Sequence, residues 1–364
     1  MPVPLFAASL ERYHDALAER AEAVIRSGRY ILGPEVEAFE AEFAAYCGAE
    51  HCVGVANGTD ALTIALRALG VRQGDEVVMP SLTFYATAEA AVNAGATPVF
   101  CDVDPETYCV TPETVAAAVT PRTRAIVPVH LFGNVAPVDE LREHGVPVLE
   151  DAAQAAGARR DGRPAGSLGD AATVSFFPSK NLGGLGDGGA ILTDDEATAA
   201  RARELRFHGS RDKITFDDVG YNSRLDELQA AALRVLLPEL DGWNEARRAV
   251  AAAYEREGLG ELVRLPVATR GTEHVYHLYV ARHEDPDELV AALGEAGVQA
   301  RGYYRRPVHL QPSMERFGGA ALDLPGTDEV ARTNVALPMG PDLDESAVGA
   351  VVEAVRSAVS SAVG

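Results

Sequence analysis

The chain has 364 residues, 47% of them hydrophobic, and a formal net charge of −22. That length allows about two domains and a sizeable buried core, whereas the acidic balance opposes general binding to nucleic acid or to an anionic membrane and obliges an anionic substrate to find a local basic patch. No uninterrupted apolar stretch approaches the roughly 20 residues that span a bilayer, and the first residues do not run from basic to apolar as a leader would, so the expectation is a cytoplasmic protein with no membrane partner.

In chain order, the first two thirds alternate strand-like and helix-like stretches. Strands are predicted at His51 to Ala56, Asp75 to Pro80, Thr97 to Cys101, Ala125 to Pro128, Val146 to Glu150, Thr173 to Phe177 and Ala190 to Leu192, with helices at Asp60 to Leu69 and Phe84 to Ala94. That order predicts an α/β fold with a mainly parallel sheet. A helical pattern from Arg224 to Pro238 and another from Trp243 to Glu257 carry the chain towards a smaller C-terminal α+β domain. That domain is read as strand (Val275 to Ala281), helix (Asp287 to Ala296), strand (Val298 to Tyr304), loop and a closing helix from Asp344. The division is therefore expected at 1–249 and 250–364.

Cys47, Cys52, Cys101 and Cys109 form no C-x-x-C pair and sit in apolar surroundings, which predicts buried free thiols. His274 and His277 invite a metal reading, but on the predicted strand residues three apart point to opposite faces, so no metal is expected. Gly184-Leu185-Gly186-Asp187-Gly188-Gly189 matches G-x-G-x-x-G. A dinucleotide fingerprint should follow a strand and open a helix, whereas this run leads into a strand, so a tight backbone turn beside a cofactor is the better account.

The apolar strand that ends in Asp151-Ala152-Ala153-Gln154 is followed by a lone lysine in Ser175-Phe176-Phe177-Pro178-Ser179-Lys180-Asn181. An acid and then a lysine among small residues is the layout of a pyridoxal 5'-phosphate site. Lys180 would hold the cofactor aldehyde as a Schiff base, and Asp151 would keep the pyridine nitrogen protonated so that the ring serves as an electron sink. Asn57-Gly58-Thr59-Asp60 lies between a strand and a helix, where unpaired N–H groups favour a phosphate; the plainer account of the same residues is an N-cap by Thr59 or Asp60. Two basic stretches stand out. Arg201 to Lys213 holds Arg201, Arg203, Arg206, Arg211 and Lys213 against Glu204 and Asp212, and Arg301 to His309 holds Arg301, Arg305, Arg306 and His309 with no acid. Either could hold a diphosphate.

Taken with Gly33-Pro34-Glu35-Val36, Pro80-Ser81-Leu82-Thr83-Phe84, Tyr221-Asn222-Ser223-Arg224-Leu225-Asp226 and His309-Leu310-Gln311-Pro312, these motifs make the chain resemble the DegT/DnrJ/EryC1/StrS sugar aminotransferases. The resemblance implies the type I, aspartate aminotransferase-like fold, with a large PLP-binding domain followed by a smaller one. It implies that Gly58, Thr59 and Ser175 meet the cofactor phosphate, that Phe84 stacks on the pyridine ring and that Gln154 bonds the phenolic oxygen. Asn222 would reach the cofactor phosphate of a second copy, so the partners implied are L-glutamate as amino donor, a keto-sugar nucleotide as acceptor and a homodimer with shared sites. Tyr304 and His309 would line the sugar pocket, with Arg211 or Arg305 near the diphosphate. Many relatives that aminate C-3 of the sugar carry His-Tyr-Pro where this chain has Tyr303-Tyr304-Arg305. The expected activity is transfer of an amino group to a dTDP-linked 3- or 4-keto-6-deoxyhexose in deoxyaminosugar or antibiotic biosynthesis. The alternatives are a keto-cyclitol aminotransferase, a PLP-dependent sugar dehydratase, which the retained Lys180 disfavours, and a non-catalytic PLP-binding regulator.

Overall fold

The computed structural model describes residues 2–362. Its strands are β1 (His51–Val55), β2 (Glu76–Pro80), β3 (Thr97–Cys101), β4 (Thr123–Ile126), β5 (Leu149–Asp151), β6 (Arg159–Arg160), β7 (Arg163–Pro164), β8 (Ala171–Ser175), β9 (Gly189–Thr193), β10 (Thr272–Glu273), β11 (Tyr279–Arg282) and β12 (Asn334–Leu337). One ladder runs β3-β2-β4 and another β1-β9-β8-β5. The parallel bridges Ile126–Val148 and Val129–Asp151 join them. Seven strands thus follow one another as β3-β2-β4-β5-β8-β9-β1, and only β9 is reversed.

Both faces of this sheet are covered, which is why β2 and β9 are buried along their whole length. Alternation still sorts their side chains. Val77, Met79 and Ile191 pack with Ile64 and Leu66 of the helix Gly58–Ala68 and with Ala88 and Ala91 of the helix Ala86–Asn93. Val78, Ala190 and Leu192 pack on the other side with Phe39 and Phe43 of the helix Pro34–Cys47. The predicted sheet is therefore found, with shifts of one to three residues at strand ends. The two helices His14–Ser27 and Pro34–Cys47 were not anticipated.

A separate core gathers Val250 and Tyr254 from the helix Leu240–Arg256, Leu289 and Leu293 from Pro286–Glu295, and Val348, Val351, Val352 and Val355 from Glu345–Ala362, around the antiparallel pair β11–β12. The expected division at 249/250 falls inside the helix Leu240–Arg256. The amino-terminal segment, expected with the large domain, instead sends Val3 and Ala7 into this second core, where Val3 bridges Val298.

Two predicted strands differ. The one at Val275 to Ala281 begins only at Tyr279, because the preceding backbone bonds to the large domain: the Val275 N–H donates to the Gly133 carbonyl at 3.2 Å, and the Val275 carbonyl accepts from Asn181 at 3.0 Å. His274 and His277 consequently do not lie on a strand; both are buried, and His274 accepts the Tyr276 N–H at 2.9 Å. Among the described residues, the stretch from Val298 to Tyr304 makes only the isolated bridges Val298–Val3 and Arg301–Ala336. The helix Pro325–Thr333 and β12 occupy what was read as loop. The four cysteines are free and buried, and burial pushes every one of their thiols above the usual range.

Candidate active site

The parallel strands β2, β5 and β8 end on one side of the sheet, and their carboxyl ends open into a cavity of about 670 Å³, the crevice where open α/β sheets take their ligands. Its lining includes Gly58, Thr59, Phe84, Asp151, Gln154, Ser175 and Lys180, residues scattered over much of the sequence. Tyr304 and Arg305 reach the same cavity from the smaller domain.

Asp151 is the last residue of β5 and is buried. Its Oδ2 accepts from the Thr87 hydroxyl at 2.8 Å, and its Oδ1 accepts from the Ala153 N–H at 3.2 Å. Thr87 is in turn 3.0 Å from the Thr83 hydroxyl. Burial raises the Asp151 carboxyl above its ordinary value, while these donors and the charge of Lys180 pull the other way. No ion pair to Asp151 occurs among the described residues. A buried, hydrogen-bonded carboxylate with no ion-pair partner in contact among the described residues suits a cationic ring N–H placed against it.

Behind Asp151, Glu150 is fully buried and accepts from the N–H groups of Gly166, Leu168 and Gly169 at 2.8–2.9 Å. His130 Nε2 lies 2.8 Å from its Oε2, and His130 Nδ1 is met by the Ala136 N–H at 3.1 Å. Because an N–H can only donate, Nδ1 is the acceptor and Nε2 carries the proton to Glu150. Burial alone would raise the Glu150 carboxyl, but His130 and these amides hold it below the usual value. This network fixes the end of β5 from beneath.

Lys180 stands in the turn after β8, its own N–H bonded to the Phe177 carbonyl at 2.8 Å. The loop is pinned by Asn181, which donates to Asn244 at 2.7 Å, and by Gln229, which accepts the Leu185 N–H at 2.8 Å. Burial lowers the Lys180 ammonium to about 8, against the opposing pull of Asp151. A lysine so placed is an amine over part of the neutral range, as a carbonyl-reactive nucleophile must be.

Asn57, not Thr59 or Asp60, caps the helix Gly58–Ala68, taking the Asp60 N–H at 2.8 Å. The first-turn N–H groups of Gly58 and Thr59, which have no intrahelical acceptor, therefore face the cavity beside Ser175. A Cβ on Gly58 would come within 2.8 Å of the Ser175 Cβ, and one on Gly189 within 2.5 Å of the Asn57 carbonyl. The glycine-rich run thus ends where β9 passes directly beneath the phosphate turn. That is a close backbone approach, as the sequence suggested, and no dinucleotide motif.

Gln154 accepts the Phe132 N–H at 2.7 Å through Oε1, which fixes the amide orientation and leaves Nε2 as a donor, 3.1 Å from the Tyr304 hydroxyl. Phe84 is 57% exposed, with its ring 6.1 Å from that of Tyr304. The donor set fits pyridoxal phosphate: an anion-accepting helix start, a buried carboxylate hydrogen-bonded to Thr87, an exposed aromatic face, an amide donor and an amine.

Other expected site residues lie elsewhere. His309 is buried, its Nδ1 held 2.5 Å from Ser81 Oγ, and does not line the cavity. Arg211 is ion-paired with Glu204 beside a different depression that also contains Lys213 and Arg224. Asn222 is exposed, outside the cavity, its backbone paired with Phe207. Sequence reasoning missed Thr87, whose only signal was its place three residues beyond Phe84. It also missed the cavity-lining His277, weighed solely as a metal ligand.

The chain matches the model of the DegT/DnrJ/EryC1/StrS aminotransferase family over residues 12–356. It is 47% identical over 353 residues to a dTDP-3-amino-3,4,6-trideoxy-alpha-D-glucose transaminase of Streptomyces venezuelae, covering 94% of this chain and 93% of the relative. It is 48% identical over 339 residues to a pleiotropic regulatory protein of Geobacillus stearothermophilus, covering 91% of each. Its fold superimposes on that of S. venezuelae DesV in complex with a ketimine intermediate with a TM-score of 0.93, 45% identity and 98% coverage of both chains. The cavity around Lys180 and these likenesses agree, and the chain belongs to the DegT/DnrJ/EryC1/StrS family as a pyridoxal-phosphate-dependent aminotransferase.

Proposed function

We propose that the enzyme takes the amino group of L-glutamate and delivers it to the keto carbon of a dTDP-linked 3- or 4-keto-6-deoxyhexose, with C-3 favoured. The observation that carries this reading is the cavity itself. Beyond the groups suited to the cofactor it continues to Tyr303, Tyr304 and three arginines of the smaller domain, room and charge for a sugar that bears phosphates. The 47% identical transaminase, whose name places the amine at C-3 of a dTDP sugar, supports the choice of carbon and nucleotide.

Bound pyridoxal phosphate supplies the electron sink for charge that develops on the substrate carbon. Lys180, an amine at mildly alkaline pH, takes and returns the proton between that carbon and the cofactor, a task for which a positioned base contributes about 10²–10⁴-fold. Asp151, held by Thr87, keeps the ring nitrogen protonated. Gln154 would offer Nε2 to the ring oxygen, and Phe84 would cover one ring face. Two chains form the working unit, with Asn222 reaching the site of the second copy.

The test is a screen of dTDP- and UDP-linked 3-keto and 4-keto sugars, together with keto-cyclitols, against the pyridoxamine form, following loss of its absorbance. A dTDP 3-keto-deoxyhexose should react fastest. A faster unphosphorylated cyclitol would replace this reading with the cyclitol alternative.

A further inference from the structure

The charged side chains lining the cavity are Asp151, Asp187, Lys180, Arg301, Arg305 and Arg306. The three arginines are neighbours in sequence but differ in what they touch. Arg305 is already engaged by protein groups: its Nη1 donates to the Arg332 carbonyl at 3.2 Å, its Nη2 lies 3.1 Å from Asp287, and its Nε rests over Gly302 where a Cβ could not fit. Arg306 anchors one nitrogen, Nε, on the Leu310 carbonyl at 2.8 Å and forms no ion pair among the described residues. Arg301 has neither a hydrogen bond from its guanidinium nor an ion pair among the described residues, and its Cζ stands 5.1 Å from the Tyr303 ring centroid. Its backbone is fixed on β12, with the Ala336 N–H donating to the Arg301 carbonyl at 2.8 Å.

Arg301 is thus a cavity arginine whose guanidinium is committed to no carboxylate among the described residues. Stacked on an aromatic face, with its backbone bridged to β12, Arg301 presents a fork of donors suited to two oxygens of one phosphate. Arg306, on the same segment, keeps its terminal nitrogens for the second phosphate. We propose that Arg301, with Arg306 beside it, holds the diphosphate of the sugar substrate, and that Arg305 does not; this rests on the nucleotide-sugar reading above.

The carboxylates of glutamate share this anion chemistry, and separate measurements tell the two apart. Binding of dTDP to the holoenzyme is measured by calorimetry at several salt concentrations, and the glutamate half-reaction is followed in single turnovers. Arg301→Gln should weaken dTDP binding about tenfold or more, which is about 1.4 kcal/mol per tenfold, and should flatten its salt dependence. Arg301→Lys, which keeps the charge without the fork, should recover part of the loss. Arg305→Gln should change dTDP binding by less than about threefold, and the glutamate half-reaction of Arg301→Gln should stay within about twofold of wild type. Wild-type dTDP affinity in Arg301→Gln overturns the proposal, as does a slowed glutamate half-reaction with dTDP binding intact. Wild-type enzyme that binds neither dTDP nor UDP removes the nucleotide-sugar reading itself, and that result is seen before any variant is made.

Discussion

At the scale of single residues, the site depends on how two charges are managed in a largely buried place. Lys180 is lowered to about 8 by burial. Below that pH its ammonium form predominates and cannot attack a carbonyl; above it the amine is available. In the cofactor-free protein, the rate of Lys180 labelling by trinitrobenzenesulfonate, located by peptide mapping, should rise with a midpoint near pH 8, where an exposed lysine would show about 10.4. A midpoint near 10 would mean that burial does not tune this amine. Asp151 carries the complementary prediction. Thr87→Val keeps the side-chain shape and removes the donor 2.8 Å from Oδ2. A hydrogen bond to a charged group is worth about 1.5–3 kcal/mol, so kcat should fall roughly 10- to 100-fold. Losing a donor to the anion raises the Asp151 pKa further, so the acid limb of the kcat profile should move to higher pH. Reduced kcat with an unmoved limb would leave Thr87 a packing role only.

At the scale of elements, the site is assembled by contacts between pieces distant in sequence. Glu227, buried at the start of the helix Glu227–Leu236, accepts the N–H groups of Gly33, Glu35 and Val36 at 2.8–3.0 Å, where the helix Pro34–Cys47 begins. A carboxylate there meets both the unpaired amides and the positive end of the helix dipole. It explains Gly33, since a Cβ would come within 2.9 Å of the Glu227 carboxylate. Glu227→Ala strands three amides, two of them buried, and should cost on the order of 3 kcal/mol in urea unfolding at constant m-value. Glu227→Gln should fall between, because its NH₂ group must face one of the same donors. Equal stability of all three proteins would show that the amides find water instead.

At the scale of the whole molecule, the chain by itself leaves Asn222, Arg211 and Lys213 outside the cavity that holds Lys180. Large apolar side chains stay exposed close to them in sequence, among them Ile214 at 83% and Val219 at 81%. A second copy covering this face would account for both facts. Mixing inactive Lys180→Ala with an inactive Asn222→Ala variant should then restore partial activity, because one of the two sites in each heterodimer receives both native residues. No recovery after verified subunit exchange would show that each site is complete within one chain.

Sequence alone determined the sheet, because apolar runs bounded by Gly and Pro leave few alternatives, and it pointed to Asp151 and Lys180, which the fold brings to one cavity, because that chemistry demands an acid and an amine in a recognisable local setting. The Asn57-Gly58 turn was legible for the same reason: a helix start is a local object. What only the tertiary structure decided were relations among side chains far apart in sequence. Thr87 supports Asp151, Glu227 caps a helix nearly two hundred residues before it, and His309 turns inward to Ser81 instead of facing the cavity. The arginines make the point most plainly. As letters, Arg301, Arg305 and Arg306 are equivalent cations, and only folding brings Asp287 and the Arg332 carbonyl to Arg305 while leaving Arg301 without a carboxylate partner among the described residues. Pairing of charges depends on distances of a few ångströms, and a linear sequence does not contain those distances.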